Sequence, residues 1–200
     1  PYGYCYDIRQ TYLNNKVDGW ATSTDYALPL VFVGNNTDSG AVIADINGDR
    51  LPDLLSSTRD VSNGVENWVK SVYLNTGSGW VSATTTWNIP EPFIDEGSNS
   101  GTQVADVNND GLADVIRYID YNTGDPDVRK TYLNYGAGWT EAGIEWKSPL
   151  PLGVSSASGQ RFPLSARFTD INGDGLVDLF DNNSTNRSPT SSVYIGTGAG

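Results

Sequence analysis

Two short strings recur together along this chain, and they constrain its fold more than any other feature of the sequence. The first is acidic and nine residues long, and it occurs as Asp45–Asp53 (DINGDRLPD), Asp106–Asp114 (DVNNDGLAD) and Asp170–Asp178 (DINGDGLVD). The second is Tyr-Leu-Asn, or Tyr-Ile-Gly in its last copy, with a glycine-containing turn after it, and it begins at Tyr12, Tyr73, Tyr132 and Tyr194. Because both strings return every 59 to 64 residues, the sequence predicts a tandem array with a unit of about 60 residues.

Short apolar runs and glycine-rich turns make up the rest of each unit. Apolar residues flank the acidic string, as in Ala41–Ala44 and Asp53–Leu55, and a stretch ending in Tyr-Leu-Asn is followed by a Trp-led run such as Trp80–Trp87. Four short strands per unit without helical periodicity predict an all-β fold built from four-stranded blades, as in a β-propeller or a propeller-like array. Residues Ile89–Gly101 and Lys147–Pro163 are predicted to be long polar links between blades.

The repeat boundaries divide the chain into four parts, which we number units 1 to 4. Unit 1 (1–35) is a partial repeat, units 2 (36–98) and 3 (99–160) contain loops 45–53 and 106–114, and unit 4 (161–200) is a partial repeat with loop 170–178. The opening Pro1-Tyr2-Gly3 favours a processed chain or a fragment. A closed ring needs at least four blades, so we expect further chain or a second copy to complete it, and exposed sheet edges make self-association a candidate.

Composition excludes several classes of function. The 200 residues carry 12 basic and 24 acidic side chains, a formal net charge of −12, which argues against nucleic-acid binding by phosphate neutralisation. The absence of His excludes Ser-His-Asp and Cys-His catalysis within the chain. No apolar stretch is long enough to span a membrane. The single cysteine, Cys5, is expected to be a buried thiol or to form an intermolecular disulfide.

The acidic loops have the residue types of a calcium site. In Asp106–Asp114, oxygen-bearing side chains stand at positions 1, 3, 5 and 9, position 7 offers its carbonyl, and Gly111 at position 6 permits a sharp turn. Flexible rings of hard oxygen ligands suit Ca²⁺, and each loop also brings together three Asp whose repulsion a cation would relieve. The alternative is that Asp and Asn only form Asx-turns. Three copies in register favour the metal interpretation, with up to three Ca²⁺ ions.

The Asp-x-Asn-x-Asp-Gly-x-x-Asp loop, together with the apolar strand before it and the Tyr-Leu-Asn turn after it, resembles the FG-GAP/VCBS repeat. This resemblance covers nearly the whole chain. The resemblance implies a calcium-loaded β-propeller like those of integrin α-chains, bacterial surface and toxin-complex proteins. It assigns metal-ligand roles to Asp45, Asn47, Asp49, Leu51 and Asp53, to Asp106, Asn108, Asp110, Leu112 and Asp114, and to Asp170, Asn172, Asp174, Leu176 and Asp178. Loop 45–53 departs from the pattern, because Arg50 replaces the Gly at position 6. Its strained backbone and its charge should make this site the weakest.

Other residues allow narrower predictions. Trp20, Trp80 and Trp139 share one repeat position and are expected to pack within the blades, with sugar stacking as the alternative. Sequons place candidate N-glycosylation sites at Asn35, Asn182, Asn183 and Asn186. The Glu residues outside the loops do not recur, so no catalytic pair is assigned and the chain is expected not to be an enzyme.

These features together predict an extracellular or cell-surface protein whose calcium-stabilised repeats form a rigid scaffold for adhesion to a protein or glycan ligand. Extracellular Ca²⁺ is about millimolar and would fill sites of the expected affinity, whereas cytosolic Ca²⁺ would not. Two alternatives remain open. One is a structural subunit of a surface fibre, a filament or a toxin shell. The other is a polysaccharide-binding accessory region of a larger enzyme.

Overall fold

Strands make up almost all the regular structure of the chain. The computed structural model describes residues 10–14, 16–17, 19–34, 37–121, 126–156, 158–183 and 190–198. The all-β fold predicted from the sequence is confirmed, and the strands form several sheets, none of which closes on itself within these residues. The first part of the chain forms two antiparallel hairpins, β1 (Thr11–Asn14) with β2 (Trp20–Ser23) and β3 (Val33–Gly34) with β4 (Thr37–Asp38).

The sheets of units 2 and 3 have the same six strands in the same order, and the sixth strand of each sheet extends past the predicted unit boundary at residue 98 or 160. In unit 2 these strands are β5 (Ala41–Ala44), β6 (Asp53–Ser62), β7 (Val65–Asn75), β8 (Trp80–Ser82), β9 (Ile94–Asp95) and β10 (Ser98–Asn99). In unit 3 they are β11 (Thr102–Ala105), β12 (Asp114–Tyr121), β13 (Val128–Asn134), β14 (Trp139–Glu141), β15 (Gly153–Ser155) and β16 (Arg161–Pro163). Each acidic loop connects the first of these strands to the second.

The first four strands of units 2 and 3 form an antiparallel meander. Strand β6 pairs with β5 along its first half and with β7 on its other edge, and β8 pairs with β7. Strands β11 to β14 repeat this arrangement in unit 3. Unit 4 contributes β17 (Arg167–Thr169), β18 (Asp178–Asn183) and β19 (Thr190–Tyr194), which pair in that order.

Helix is nearly absent from the described part of the chain. It is confined there to one 3₁₀ turn, Ile144–Trp146. No helix in these ranges is long and apolar enough to cross a bilayer.

The segments predicted to be polar links are instead partly buried strands, so that prediction was wrong. Strand β9 pairs in parallel with the second half of β6, and β15 pairs in parallel with the end of β12. Ile89, Phe93 and Leu152, which lie in these segments, are almost completely buried. The prolines and acidic residues around them concealed this apolar pattern in the sequence.

A glycine is required where each new meander begins beside such a segment. Gly101 has a φ of 69°, and a Cβ there would lie 2.7 Å from the carbonyl oxygen of Tyr118 and 3.2 Å from the amide nitrogen of Gly153. Gly40 has the same conformation at the start of unit 2, with a φ of 65°. Only glycine combines this backbone conformation with so close an approach of two strands.

The hydrophobic core lies between consecutive units. One cluster joins Ile46, Leu55 and Trp87 of unit 2 to Ala113 of unit 3, and Trp139 packs against it. A second cluster joins Ile116 and Leu152 of unit 3 to Ala166 and Leu179 of unit 4. Each sheet therefore buries its apolar face against the next unit, as tandem repeats do.

A buried ionic cluster connects the same units. The carboxylate of Asp95 has no exposure to solvent and lies 2.8 Å from guanidinium nitrogens of both Arg59 and Arg161, and 3.2 Å from that of Arg117. Arg117 also donates to Glu91 at 2.6 Å, and the hydroxyl of Tyr132 donates to Glu91 at 2.7 Å. Two carboxylates out of solvent are thus compensated by cations from three different sheet segments, which is how buried charge becomes tolerable.

We predict that Glu91→Gln will lower the free energy of unfolding by about 3 kcal/mol at pH 7, because removing one member of a buried ion pair leaves its partner uncompensated. Burial by itself would raise the pKa of Glu91, but the hydrogen bonds from Tyr132 and Arg117 outweigh burial and hold the pKa below its ordinary value. A lowered carboxyl pKa gives stability that is present above the ordinary pKa and is lost as the pH falls through the lowered value.

Urea unfolding of the wild type and Glu91→Gln, at neutral pH and down to about pH 3, measures this dependence. The difference between the two proteins should narrow in acid. Glu141, exposed on β14, provides the control, and Glu141→Gln should change stability by less than about 0.5 kcal/mol. A difference that stays constant across this pH range would contradict the prediction.

Candidate metal-binding loops

The first aspartate of each loop organises the loop backbone. One of its oxygens accepts the N–H of position 6 in all three loops, while the other accepts the N–H of position 4 or position 5. The position 6 bonds run from Arg50 to Asp45, from Gly111 to Asp106 and from Gly175 to Asp170, at 2.7, 2.8 and 3.0 Å. One carboxylate therefore gathers successive N–H groups from a single turn.

Positions 3 and 5 form a second set of bonds that is the same in every loop. In loop 45–53 the side-chain oxygen of Asn47 accepts the N–H of Asp49 at 3.0 Å, and the amide group of Asn47 donates to the Asp49 carboxylate at 3.0 Å. The other oxygen of Asp49 accepts the N–H of Leu51 at 2.8 Å. Loops 106–114 and 170–178 repeat all three bonds. The Asx-turns weighed as the alternative are therefore present.

The aspartate at position 9 has a different environment. The side chains of Asp53, Asp114 and Asp178 are all fully buried. One oxygen of each accepts the N–H of position 2 in its own loop, at 2.9 to 3.1 Å. The other oxygen accepts, at 2.8 Å, the N–H of the residue that ends the Tyr-Leu-Asn or Tyr-Ile-Gly string: Asn75, Asn134 or Gly196. This bond explains why the two repeated strings share one period.

The asparagine of Tyr-Leu-Asn is a structural residue that the sequence analysis did not identify. The side-chain oxygen of Asn134 accepts the N–H of Gly136, and its amide group donates to the carbonyls of Ala113 and, in the preceding unit, Ile46. Asn75 makes the matching bonds to Gly77 and Pro52. Its invariance in units 1 to 3 was the available signal.

Two positions of each loop adopt left-handed backbone conformations. Position 6 has φ values of 67° at Arg50, 85° at Gly111 and 88° at Gly175, so the strain expected for an arginine at this position is present. Position 4 has the same conformation in all three loops and is occupied by Gly48, Asn109 and Gly173. The sequence analysis did not identify position 4, although Gly and Asn are the residues that favour this conformation.

The position 9 aspartates differ in their electrostatics. Burial raises the pKa of Asp114 to about 6, against the lowering effect of the N–H bonds from Asn134 and Val107. Burial also raises the pKa of Asp53. For Asp178 the N–H bonds from Gly196 and Ile171 outweigh burial, so its pKa is lowered. The position 9 aspartates thus accept equivalent hydrogen bonds, but the effect of burial on their pKa differs from unit to unit.

The fit of a cation to these loops depends on the oxygens at positions 1, 3, 5 and 7. No group of three or more His, Cys, Asp or Glu side chains is arranged as a metal centre in the part of the chain that the structure describes. In each loop, however, two Asp carboxylates and one Asn carbonyl lie in one turn beside the position 7 residue, and the position 5 Asp is exposed. An oxygen that accepts one N–H keeps a further lone pair, so this donor set has the chemistry that Ca²⁺ requires.

Some of the predicted residues fall outside the described part of the chain. Cys5, Asn35 and Asn186 are outside the described residues. Asn182 and Asn183 belong to β18, whose backbone alone is described at these positions. Among the repeated tryptophans, Trp139 and Trp80 are partly buried as predicted, whereas Trp20 is 70% exposed.

Comparison with known proteins supports the all-β fold only. No family model and no curated protein matches the chain. A lectin from Agrocybe aegerita, which recognises non-reducing terminal N-acetylglucosamine, matches with 19% identity and a TM-score of 0.51 over 86% of this chain and 40% of the lectin chain. The resemblance to the FG-GAP/VCBS repeat stays a prediction.

A second solved structure is more distant. A chain of the Tc holotoxin pore of Photorhabdus luminescens matches with 19% identity and a TM-score of 0.45, over 86% of this chain and 7% of that one. This score is too low to support an argument. The present chain thus spans less than half of the lectin and a small part of the toxin chain.

We predict that Asp114→Ala will lower the free energy of unfolding by about 3 kcal/mol in EDTA, because it leaves the buried N–H groups of Val107 and Asn134 without acceptors. Asp114→Asn should cost less, because it keeps one acceptor oxygen. Asp110→Ala removes an exposed carboxylate of the same loop and should cost less than about 1 kcal/mol.

Urea unfolding with the metal chelated isolates the hydrogen-bonding role from any ligand role. Equal losses for Asp114→Ala and Asp110→Ala under these conditions would show that position 9 does not connect the loop to the third strand.

Proposed function

We propose that this chain is a calcium-stabilised β-repeat scaffold that presents its loops to a partner outside the cell. The observation that supports it is the threefold recurrence of one loop geometry, with the same donor and acceptor atoms at the same positions. Hydrogen bonds within the chain account for the aspartate at position 9, but Asx-turns alone do not need two further carboxylates at positions 1 and 5 of every loop. A cation site repeated in units 2 to 4 accounts for them.

In each loop the ion would be held by the side chains at positions 1, 3 and 5 and by the carbonyl of position 7. The position 9 aspartate, whose two oxygens accept N–H groups, would add its negative charge from beneath the loop. A bound Ca²⁺ would change the formal charge of loops 106–114 and 170–178 from −3 to −1, and that of loop 45–53, which contains Arg50, from −2 to 0. Three ions add +6 to the net charge of −12 and leave −6, so binding relieves much of the repulsion within the folded chain.

The donor set favours Ca²⁺ over other divalent ions. All its donors are oxygens on a turn with two left-handed positions, which suits a large ion with flexible coordination better than the compact octahedron of Mg²⁺. Soft metals would require Cys or His, and the chain has no His and a single Cys. Sites of about 10⁻⁴ to 10⁻³ M affinity would fill outside cells, where Ca²⁺ is about millimolar.

The stacking of the units supports a propeller-like arrangement as part of this proposal. The four-stranded meanders of units 2 and 3 and the three strands of unit 4 follow one another, with an apolar cluster at each of the two interfaces. The amide N–H of Ala113 donates to the carbonyl of Asp45 across two neighbouring loops. Such an array is rigid and has variable connections at its other end. These properties suit a scaffold for binding. They do not suggest a catalyst, because the two buried carboxylates of the ionic cluster are already paired with arginines.

Glycan binding is the second candidate function. It is supported by the shared fold of the Agrocybe aegerita lectin, which is itself described as recognising terminal N-acetylglucosamine. On this reading the calcium-stabilised units would hold sugar-binding residues in place. A structural role in a surface fibre or toxin shell stays an alternative that the same rigid array would serve.

Calcium is predicted to raise the melting temperature. Three sites at about ten times their Kd would together contribute about 4 kcal/mol. For a chain of this size that corresponds to a shift of about 10 °C on changing from EDTA to millimolar CaCl₂. Differential scanning calorimetry measures the shift, with MgCl₂ as the ionic control. The variant D49N/D110N/D174N, altered only at exposed position 5 residues, should lose most of it. An unchanged melting temperature in calcium would refute the proposal.

Arg50→Gly is predicted to stabilise the chain in EDTA by about 1 kcal/mol, because it removes a left-handed non-glycine residue. It should also tighten calcium binding at loop 45–53, because a positive charge leaves the site. Arg50→Ala is the matched control, since it removes the charge and keeps the strain. Calorimetric titration should therefore show tighter binding in both variants, and urea unfolding a gain in Arg50→Gly alone. Equal stability of the two variants would contradict the strain argument.

A further inference from the structure

Three Asn-Gly pairs occur in this chain, and they lie in two different environments. Two of them occupy positions 3 and 4 of acidic loops, and the third forms the tip of the hairpin between β6 and β7; in this order they are Asn47-Gly48, Asn172-Gly173 and Asn63-Gly64. Glycine has no side chain to hinder its backbone nitrogen, so this nitrogen can approach the side-chain carbonyl of a preceding asparagine. The environment of each pair therefore decides whether the two groups can meet.

At the hairpin tip the Asn-Gly pair is open to solvent. Ser62 pairs with Val65 across the hairpin, so Asn63 and Gly64 form a two-residue turn. Their φ values of 55° and 76° are those of a type I′ turn. Both residues are exposed, and a Cβ added at Gly64 would meet no atom within 4 Å. Among the residues that the structure describes, none forms a hydrogen bond with the side chain of Asn63.

The end of this hairpin is held only by its own two strands. Strand β5 pairs with β6 as far as Ser56, β9 pairs with β6 at Thr58 and Arg59, and β8 pairs with the far end of β7. In the described ranges no further strand pairs with residues 60–67. A two-stranded ribbon with exposed side chains opens locally at a small cost in free energy. Such opening releases the turn and lets the glycine nitrogen reach the asparagine side chain.

In the acidic loops the same two groups are held by hydrogen bonds. The side-chain oxygen of Asn47 accepts the N–H of Asp49, and its amide group donates to the Asp49 carboxylate, both at 3.0 Å. The N–H of Gly48 donates to Asp45 at 2.8 Å. Loop 170–178 repeats all three bonds. The attacking nitrogen and the carbonyl that it would attack are therefore both engaged elsewhere.

The charge of the loops also opposes the reaction. The glycine nitrogen attacks after losing its proton, and an anion is costly among carboxylates. Loop 45–53 has three Asp and one Arg, a formal charge of −2, and loop 170–178 has a formal charge of −3. Along the chain, the acidic residues nearest to the hairpin tip are Asp60 and Glu66, and Glu66 is paired with Arg59 at 2.9 Å. The electrostatic cost is thus lower at the tip.

We propose that Asn63 is a site of spontaneous deamidation in the folded protein, and that the fold protects the asparagines of the other two pairs. The nitrogen of Gly64 loses its proton to hydroxide and bonds to Cγ of Asn63. The bond from Cγ to Nδ2 then breaks, and Nδ2 leaves as ammonia with a proton from water. A water molecule adds to either carbonyl of the resulting cyclic imide and opens it. The net reaction consumes one water, releases one ammonia and leaves an aspartyl or isoaspartyl residue at position 63.

The modification would change the charge and the shape of the hairpin. Both products add one negative charge, which takes the formal net charge from −12 to −13. The isoaspartyl product also lengthens the main chain by one methylene group, and a two-residue turn has no room for it without loss of the pairing between Ser62 and Val65. The inference does not depend on calcium, so it can fail or succeed independently of the proposed function.

The test compares the three asparagines within one sample of the 200-residue chain. After incubation in mildly alkaline buffer, peptide mapping by mass spectrometry measures the conversion at each. In the folded chain Asn63 should convert at least about tenfold faster than Asn47 or Asn172, because two side-chain hydrogen bonds must break in the loops. In guanidinium chloride all three should convert at similar rates, since each precedes a glycine. Equal rates in the folded chain, or faster conversion at a loop asparagine, would overturn the proposal.

A matched pair of variants tests the site itself. Asn63→Gln moves the side-chain carbonyl one carbon further from the Gly64 nitrogen and should abolish the acidic species that ion-exchange chromatography separates. Asn67→Gln, at an exposed position of β7 that glycine does not follow, should leave this species unchanged. Persistence of the species in Asn63→Gln would place the modification elsewhere. Absence of the isoaspartyl product in the wild type would exclude the cyclic imide.

One loop variant tests the protection. Asp49→Ala removes the carboxylate to which the Asn47 side chain donates and lowers the negative charge of the loop. Conversion at Asn47 should become several-fold faster in this variant, while Asn172 in the same molecule serves as the internal control and should keep its rate. An unchanged rate at Asn47 would show that these interactions do not protect the loop asparagines.

Discussion

The buried aspartate at position 9 of each loop is the residue on which the rest of the unit depends. A carboxylate without solvent contact is costly unless its oxygens are bonded, and here two backbone N–H groups bond them. One N–H comes from the start of the loop and the other from the end of the third strand. For Asp114 the second N–H belongs to Asn134, which lies 20 residues further along the chain. The loop, the second strand and the third strand are thereby brought into one register, which a neutral or longer side chain could not do.

Negative charge is balanced in two separate ways. Glu91 and Asp95 are buried beside arginines, so their charges are compensated within the protein. Within the described ranges, no arginine or lysine forms an ion pair with the exposed carboxylates of the loops. Each loop gathers these carboxylates around backbone N–H groups, which carry only partial charges. Since nine of the 24 acidic residues lie in these loops, they are where an external cation would change the electrostatic energy most.

The sequence was informative where a local pattern repeats, and uninformative where a residue acts over a distance. The acidic loops, the meander strands and the strained Arg50 were predictable, because each is determined by neighbours within about ten residues. The bond from Asn75 to Asp53 was not, since 22 residues separate them and the asparagine resembled an ordinary turn residue. The burial of Glu91 was not predictable either, because its partner Arg117 lies 26 residues away in the next unit.

The differences between the units follow from how completely each is covered by its neighbours. Asp114 and Asp178 accept equivalent hydrogen bonds, yet burial raises the pKa of Asp114 and fails to do so for Asp178. Unit 3 lies between units 2 and 4, with a cluster on either side, while unit 4 packs on unit 3 alone within the described residues. The environment of a conserved side chain is thus set by the adjacent unit as much as by its own. A single repeat taken from this array would therefore lose both its core and the environment of its buried acid, and the smallest stable piece should contain at least two neighbouring units.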